Sequence, residues 1–181
     1  MSKADILYIS DLDGTLLDSG AKVSDFSSSA LNAMIGEGIN FTIATGRTLA
    51  TAKSILSTLK LQIPIVLLNG VLIYDIADHC YLEVNTLLLK TAESVIEILK
   101  KLNVTGFMYR MVGDELLTYH ETLKTEPLRN FVKERKKRYN KHFTYINSFE
   151  ELPLDDTVFF TLLDTHERLQ LVSDAMMGVK I

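Results

Sequence analysis

The chain has 181 residues, of which 47% are hydrophobic and 23% charged, and its formal net charge is −4. That is enough for one domain or two small ones of ordinary globular composition. The small negative charge gives no pull toward nucleic acid or an anionic membrane. No apolar run approaches the roughly 20 residues that span a bilayer; Ile63 to Leu68 is among the longest. The N-terminus has no signal-peptide core. The single Cys80 cannot close an internal disulfide, which makes a reducing cytoplasm the expected location, and it reads as a small packing residue. His79, His120, His142 and His166 do not pair at metal-ligand spacing, so zinc is not expected.

Ile6 to Ile9 is a short β-favouring run of the length of a buried strand. Asp11 and Asp13 follow, and then Gly14. If strand geometry persists through Asp13, side chains two apart point the same way and both carboxylates face one spot. Such a pair is costly to ionise unless a cation sits between them, and a hard divalent ion, Mg²⁺, suits oxygen ligands. The plainer alternative is a turn in which both aspartates bond nearby amides.

Ser24 is a helix N-cap with Asp25 in the first turn, and Phe26, Ala30, Ala33 and Met34 recur at helical spacing. Gly36 and Gly38 end that helix, and Ile39 to Ala44 is the next strand. Strand, helix and strand in this order predict a βαβ unit with a parallel sheet. The second strand delivers Thr45, Gly46 and Arg47 at its carboxyl end, where open α/β sheets bind ligands. A hydroxyl, an unhindered amide and a guanidinium there suit a phosphate; a structural helix cap is the alternative. A helix from about Thr48 to Leu59 and a buried strand from Ile65 to Leu68 lead to Asn69-Gly70, a turn signal that again falls at a strand end. Val71 to Tyr74 and Tyr81 to Val84 read as a hairpin.

Beyond about Leu87 the pattern changes. A helix over Lys90 to Leu102, strands over Thr105 to Met111 and Glu115 to Tyr119, and a polar helix over Leu123 to Arg138 are expected. Strands at Phe143 to Ile146 and Val158 to Leu163 and a helix to about Met177 complete a small α+β module. The charge run Lys133 to Arg138 fits the solvated last turn of a helix, with anion binding as the other reading.

The run Asp11-Leu12-Asp13-Gly14-Thr15 after the first strand, with Ala44-Thr45-Gly46-Arg47 and Asn69-Gly70 after the next two, resembles the Cof-type branch of the haloacid dehalogenase-like (HAD) hydrolases. The resemblance implies an α/β fold. Residues 1–84 would form part of a Rossmann-like core, and residues 85–181 an inserted α+β cap that selects substrate. It implies a phosphatase of small phosphorylated metabolites, such as sugar phosphates, that uses Mg²⁺ and an aspartyl-phosphate intermediate. Asp11 would be nucleophile and Asp13 general acid and base, both at the metal. Leu12, Thr45, Gly46, Arg47 and Asn69 would bind phosphate or substrate. Neither nucleic acid nor membrane is an expected partner.

Two motifs of that family are not found: a lysine that steadies the phosphoryl group, and an acidic pair within Gly-Asp-x-x-x-Asp. Lys180 and Gly113-Asp114 are poor substitutes. The chain is therefore expected to be the N-terminal portion of a larger phosphatase, with the returning half of the core as a possible partner. The last residues, Gly178 to Ile181, are expected to open a cap strand. Two other functions stay open: a non-catalytic phosphometabolite- or metal-binding regulatory module, and a sugar phosphomutase.

Overall fold

A computed structural model of the chain describes residues 6–179. Lys180 and Ile181, half of the expected closing strand, lie outside the described residues. The chain divides into two compact units, Met1–Val84 and Asn85–Ile181.

The first unit opens with β1 (Leu7–Ser10), α1 (Asp25–Gly36) and β2 (Asn40–Ile43). β1 and β2 pair in parallel, Leu7 opposite Asn40 through Ser10 opposite Ile43. α2 (Leu49–Leu56) follows, then β3 (Ile65–Leu67), β4 (Leu72–Asp75) and β5 (Cys80–Val84). β3, β4 and β5 form an antiparallel meander. β2 and β3 are tied by a parallel bridge between Ala44 and Val66 and by the Thr45 amide donating to the Val66 carbonyl at 3.0 Å. The first three strand ends therefore point the same way, as the βαβ reading requires.

α1 begins where Ser24 accepts from the Ser27 amide at 3.0 Å. Its buried residue is Ile35, whereas Phe26 is 83% exposed and Met34 is exposed. The expected stripe of Phe26, Ala30, Ala33 and Met34 is thus the outer face, because Ile35 and the half-buried Leu31 set the inner one. β1 departs in the same way. Leu7, Tyr8 and Ile9 are each about half exposed, at 50%, 47% and 56%, rather than buried on both faces. Cys80 is exposed, not a packing residue. α2 stops at Leu56, short of Leu59.

The second unit runs α3 (Leu89–Lys101), β6 (Gly106–Val112), β7 (Glu115–His120), α4 (Glu126–Tyr139), β8 (Thr144–Tyr145), β9 (Thr157–Leu162) and α5 (His166–Met176). Its sheet has the order β8-β7-β6-β9. β6 is buried on both faces. On one face Met108 packs with Ile96 of α3, Tyr119 and Phe149. The short turn of Phe149–Glu151 that carries Phe149 replaces the loop expected there. On the other face Phe107 stacks on Phe131 of α4 with ring centroids 4.8 Å apart, and Phe143 tilts against it at 5.4 Å.

The charge run of α4 lies on its solvated last turn, as expected, with Lys136, Lys137 and Arg138 exposed. Thr125 caps the helix and Asn140 ends it in a left-handed conformation at φ 50°. The next residue, Lys141, is 7% exposed, with its ammonium 4.7 Å from the Tyr109 ring centroid and 5.3 Å from that of Phe143. Burial, with a smaller contribution from the Arg135 charge, lowers its pKa from 10.5 to about 7.

Two stability predictions follow from this packing. Phe107→Ala removes a fully buried ring and its stacking partners, and should cost about 3–5 kcal/mol in denaturant unfolding. Lys141→Met should stabilise the chain on the low-pH side. Between pH about 7 and 10.5 the unfolded lysine holds a proton that the folded one has released, so wild-type stability rises with pH there. Below about 7 both forms are protonated and the folded charge is penalised in full. The variant's advantage is fully present below about pH 7 and should shrink as pH rises through that window in paired thermal melts.

Candidate active site

β1 ends at Ser10, so the ladder does not reach Asp13, yet both aspartates keep extended backbone. Asp11 has φ −75° and ψ 164°, and Asp13 has φ −74° and ψ 119°. Gly14 then turns at φ 78°, a conformation costly for residues with a Cβ, and the chain folds back so that the Leu17 amide donates to the Leu12 carbonyl at 3.0 Å. The Leu12 side chain is fully buried and anchors this turn in the core, with both acids on the exposed side.

Asp11, Asp13, Thr45, Gly46 and Asn69 line one cleft of about 540 Å³, with Ala44, Val66 and Gly70 completing it. These residues come from the ends of three strands. The loops beyond β2 and β3 are knitted together: the Asn69 amide donates to the Thr45 carbonyl at 3.1 Å, and the Leu68 amide to the Arg47 carbonyl at 3.1 Å. To make these bonds the chain takes positive φ at Leu68 (48°), Asn69 (57°) and Gly70 (96°). Asn and Gly tolerate that region; Leu68 does not readily, and its buried side chain and amide bond hold it there. Sequence reasoning passed over Ala44, Val66 and Gly70 as lining residues; the period-2 pattern of β3 could have pointed to Val66.

The two carboxylates have different surroundings. Asp11 Oδ1 accepts from its neighbour's amide, Leu12, at 2.7 Å. No hydrogen bond to Asp11 Oδ2 is found among the described residues. Asp13 is gripped by Arg47 in a two-pronged pair, Nε to Oδ2 at 2.7 Å and Nη2 to Oδ1 at 2.6 Å. This fork is the strong geometry for a guanidinium and a carboxylate. Arg47 is itself steadied by a 3.4 Å bond to the Thr51 carbonyl. It is not among the cleft-lining residues, and it reaches the site through Asp13. Leu12 also does not line the cleft; its amide is spent on Asp11.

Thr45 is 4% exposed, and its Oγ1 accepts from the Arg47 amide at 3.3 Å. The hydroxyl proton remains available to donate elsewhere. Gly46 leaves room for Asn69: a Cβ there would stand 2.9 Å from Asn69 Oδ1, so that side chain would have to move. For a metal, the cleft offers two carboxylates and no third His, Cys, Asp or Glu among the described residues. Hard oxygen donors of that number suit Mg²⁺, which commonly binds one or two carboxylates together with water and phosphate oxygens. Asp11 is the freer donor, since both oxygens of Asp13 are engaged by Arg47. No helix among the described residues is long and apolar enough to cross a membrane.

A family model described as haloacid dehalogenase-like hydrolase matches residues 8–176. The pyridoxal phosphate phosphatase YbhA of Escherichia coli is 27% identical over 159 residues, 88% of this chain and 58% of that protein. The 5-amino-6-(5-phospho-D-ribitylamino)uracil phosphatase YcsE of Bacillus subtilis is 37% identical over 65 residues, 36% of this chain and 26% of that protein. Among solved structures, a haloacid dehalogenase-like hydrolase from B. subtilis superposes with a TM-score of 0.71 at 23% identity, over 96% of this chain and 67% of that one. The matched stretch thus spans little more than half of YbhA and about a quarter of YcsE.

The loop packing generates a coupled prediction. Gly46→Ala should push Asn69 aside and lower stability by about 1–3 kcal/mol. Adding Asn69→Ala removes the atoms in the way, so the pair should cost less than the sum of the single changes. A double-mutant cycle measures that coupling.

Proposed function

This chain belongs to the haloacid dehalogenase-like hydrolases, and from that premise we propose that it forms part of a Mg²⁺-dependent phosphatase of small phosphorylated metabolites. The observation that carries the proposal is the convergence of Asp11, Asp13, Thr45 and Asn69 on one cleft at three strand ends. Both curated relatives are phosphatases by name, and each name is that of an enzyme for a small organic phosphate. The α+β unit of residues 85–181 is assigned the cap's part in choosing the leaving group, and the cytoplasm is the proposed location.

In this proposal Asp11 Oδ2 attacks phosphorus, a P–O bond forms to the carboxylate, and the bond to the leaving alcohol breaks. The Leu12 amide, on Oδ1, steadies the carboxylate and leaves Oδ2 for the attack. Asp13, once an oxygen is released from the Arg47 fork and takes up a proton from solvent, gives that proton to the departing oxygen, then takes one from the water that cleaves the acyl phosphate. Inorganic phosphate leaves and Asp11 is restored. Thr45 donates to a phosphoryl oxygen and the Asn69 amide group to another, both preorganised by the knitted loops. Arg47 is a positioning residue that holds Asp13 at the height of the leaving group. Asp11 and Asp13 would hold Mg²⁺, which when bound offsets charge on the phosphoryl oxygens.

The test uses the whole protein and a generic aryl phosphate. Turnover should need Mg²⁺, vanish with chelator and return on Mg²⁺ addition. Asp11→Asn should lower kcat by at least about 10³-fold, because an amide cannot carry the phosphoryl group. Full turnover by that variant would rule out the covalent route. Metal-independent turnover would rule out the role assigned to Mg²⁺.

A further inference from the structure

We propose that Lys141 and Arg135 in the second unit form a binding site for a small oxyanion, of the carboxylate or phosphate type. The site lies within the second unit and does not depend on the phosphatase proposal. It is built on the α4 face of the sheet. Tyr109 and Thr118 stand opposite each other in the β6–β7 register, so their side chains share a face. The Lys141 ammonium lies over the Tyr109 ring, on that same face. Arg135 stacks its guanidinium 3.5 Å from the Phe131 ring centroid, and its carbonyl accepts from the Lys141 amide at 3.3 Å, which seats the two residues together.

What gathers there is positive charge and hydroxyl groups, with no acid paired to Lys141 among the described residues. The Lys141 ammonium has no ion pair or hydrogen bond among the described residues; its partners are the faces of two aromatic rings. Tyr109 accepts from Thr161 Oγ1 at 3.4 Å, which leaves its own O–H to donate. Thr118 Oγ1 is buried with no hydrogen-bond partner, and the residue is only 3% exposed. The acid nearest in the chain, Glu134, bonds Arg135 from the exposed side at 2.9 Å. His120, also on this face, is turned to the Glu121 carbonyl and lies between the Phe107 and Tyr145 rings.

Two cations held close by apolar rings repel and lose hydration, a cost that an anion between them would remove. The hydroxyls of Tyr109 and Thr118 supply neutral donors for its remaining oxygens. The Arg135 side chain, 29% exposed, gives the way in. Such an anion should bind tightly only while Lys141 keeps its proton, so affinity should fall as pH rises through the lysine's midpoint.

The probe is sulfate, which holds its charge over the range, added to the full chain at constant ionic strength against chloride. Lysine labelled with ¹³C at Cε reports the Lys141 midpoint by NMR, and Lys141→Met identifies its signal. We expect sulfate to raise that midpoint from about 7 by about one unit, the shift of a tenfold preference for the charged lysine. Arg135→Met, a change on a partly exposed helix face, should weaken sulfate at least tenfold. Acetate and methyl phosphate in place of sulfate distinguish the two anion types, and a rise with either supports the site. An unmoved midpoint with all three anions overturns the proposal, as does equal sulfate affinity with and without Arg135.

Discussion

Asp11 and Asp13 share one cleft, and neighbouring carboxylates repel unless positive charge answers them. In this chain part of the answer is Arg47. Its fork occupies both oxygens of Asp13, while Asp11 is held by the amide of the following residue. The two acids are thereby made unlike, although they arise from one short run of sequence. One is fixed by a cation and oriented as a unit with it. The other lines the cleft with one oxygen bonded to its neighbour's amide. The difference is built from local hydrogen bonds rather than from deep burial, and it is the kind that the proposed nucleophile and proton carrier would need.

Arg47 can do this because the loops beneath it are stiff. The turns after β2 and β3 exchange amide–carbonyl bonds, and Leu68, Asn69 and Gly70 adopt positive φ to make them. Gly46 lets the Asn69 side chain lie directly against the backbone. Strain at Leu68 is tolerated because its side chain is anchored in the core. The loops are thus positioned by strands and anchored side chains, with little freedom left to the polar groups they carry.

Much of this was legible in the sequence. The alternation of short β-branched runs with helical periods gave the βαβ start, and the polar punctuation after each strand marked the cleft residues. Family resemblance added the roles. The boundaries were read less well, since strand and helix ends depend on tertiary hydrogen bonds. Along α1 the apolar Phe26 and Met34 recur at helical spacing, which locates the helix but not its inner face; packing buries Ile35. The pairing of Arg47 with Asp13 joins residues 34 positions apart, and no local pattern announces it. The same is true of Lys141. In sequence it follows a basic run and looks solvated; only the fold of β6 and α4 buries it among rings.

β1 carries one further implication. Its side chains are half exposed, and among the described residues it has a paired neighbour, β2, along one edge only. The other edge offers backbone groups and apolar side chains together, the combination by which strands from different molecules recruit one another. Handled alone and concentrated, this polypeptide should therefore self-associate through its first strand, and its colloidal behaviour will be governed by the segment that leads into the two cleft aspartates.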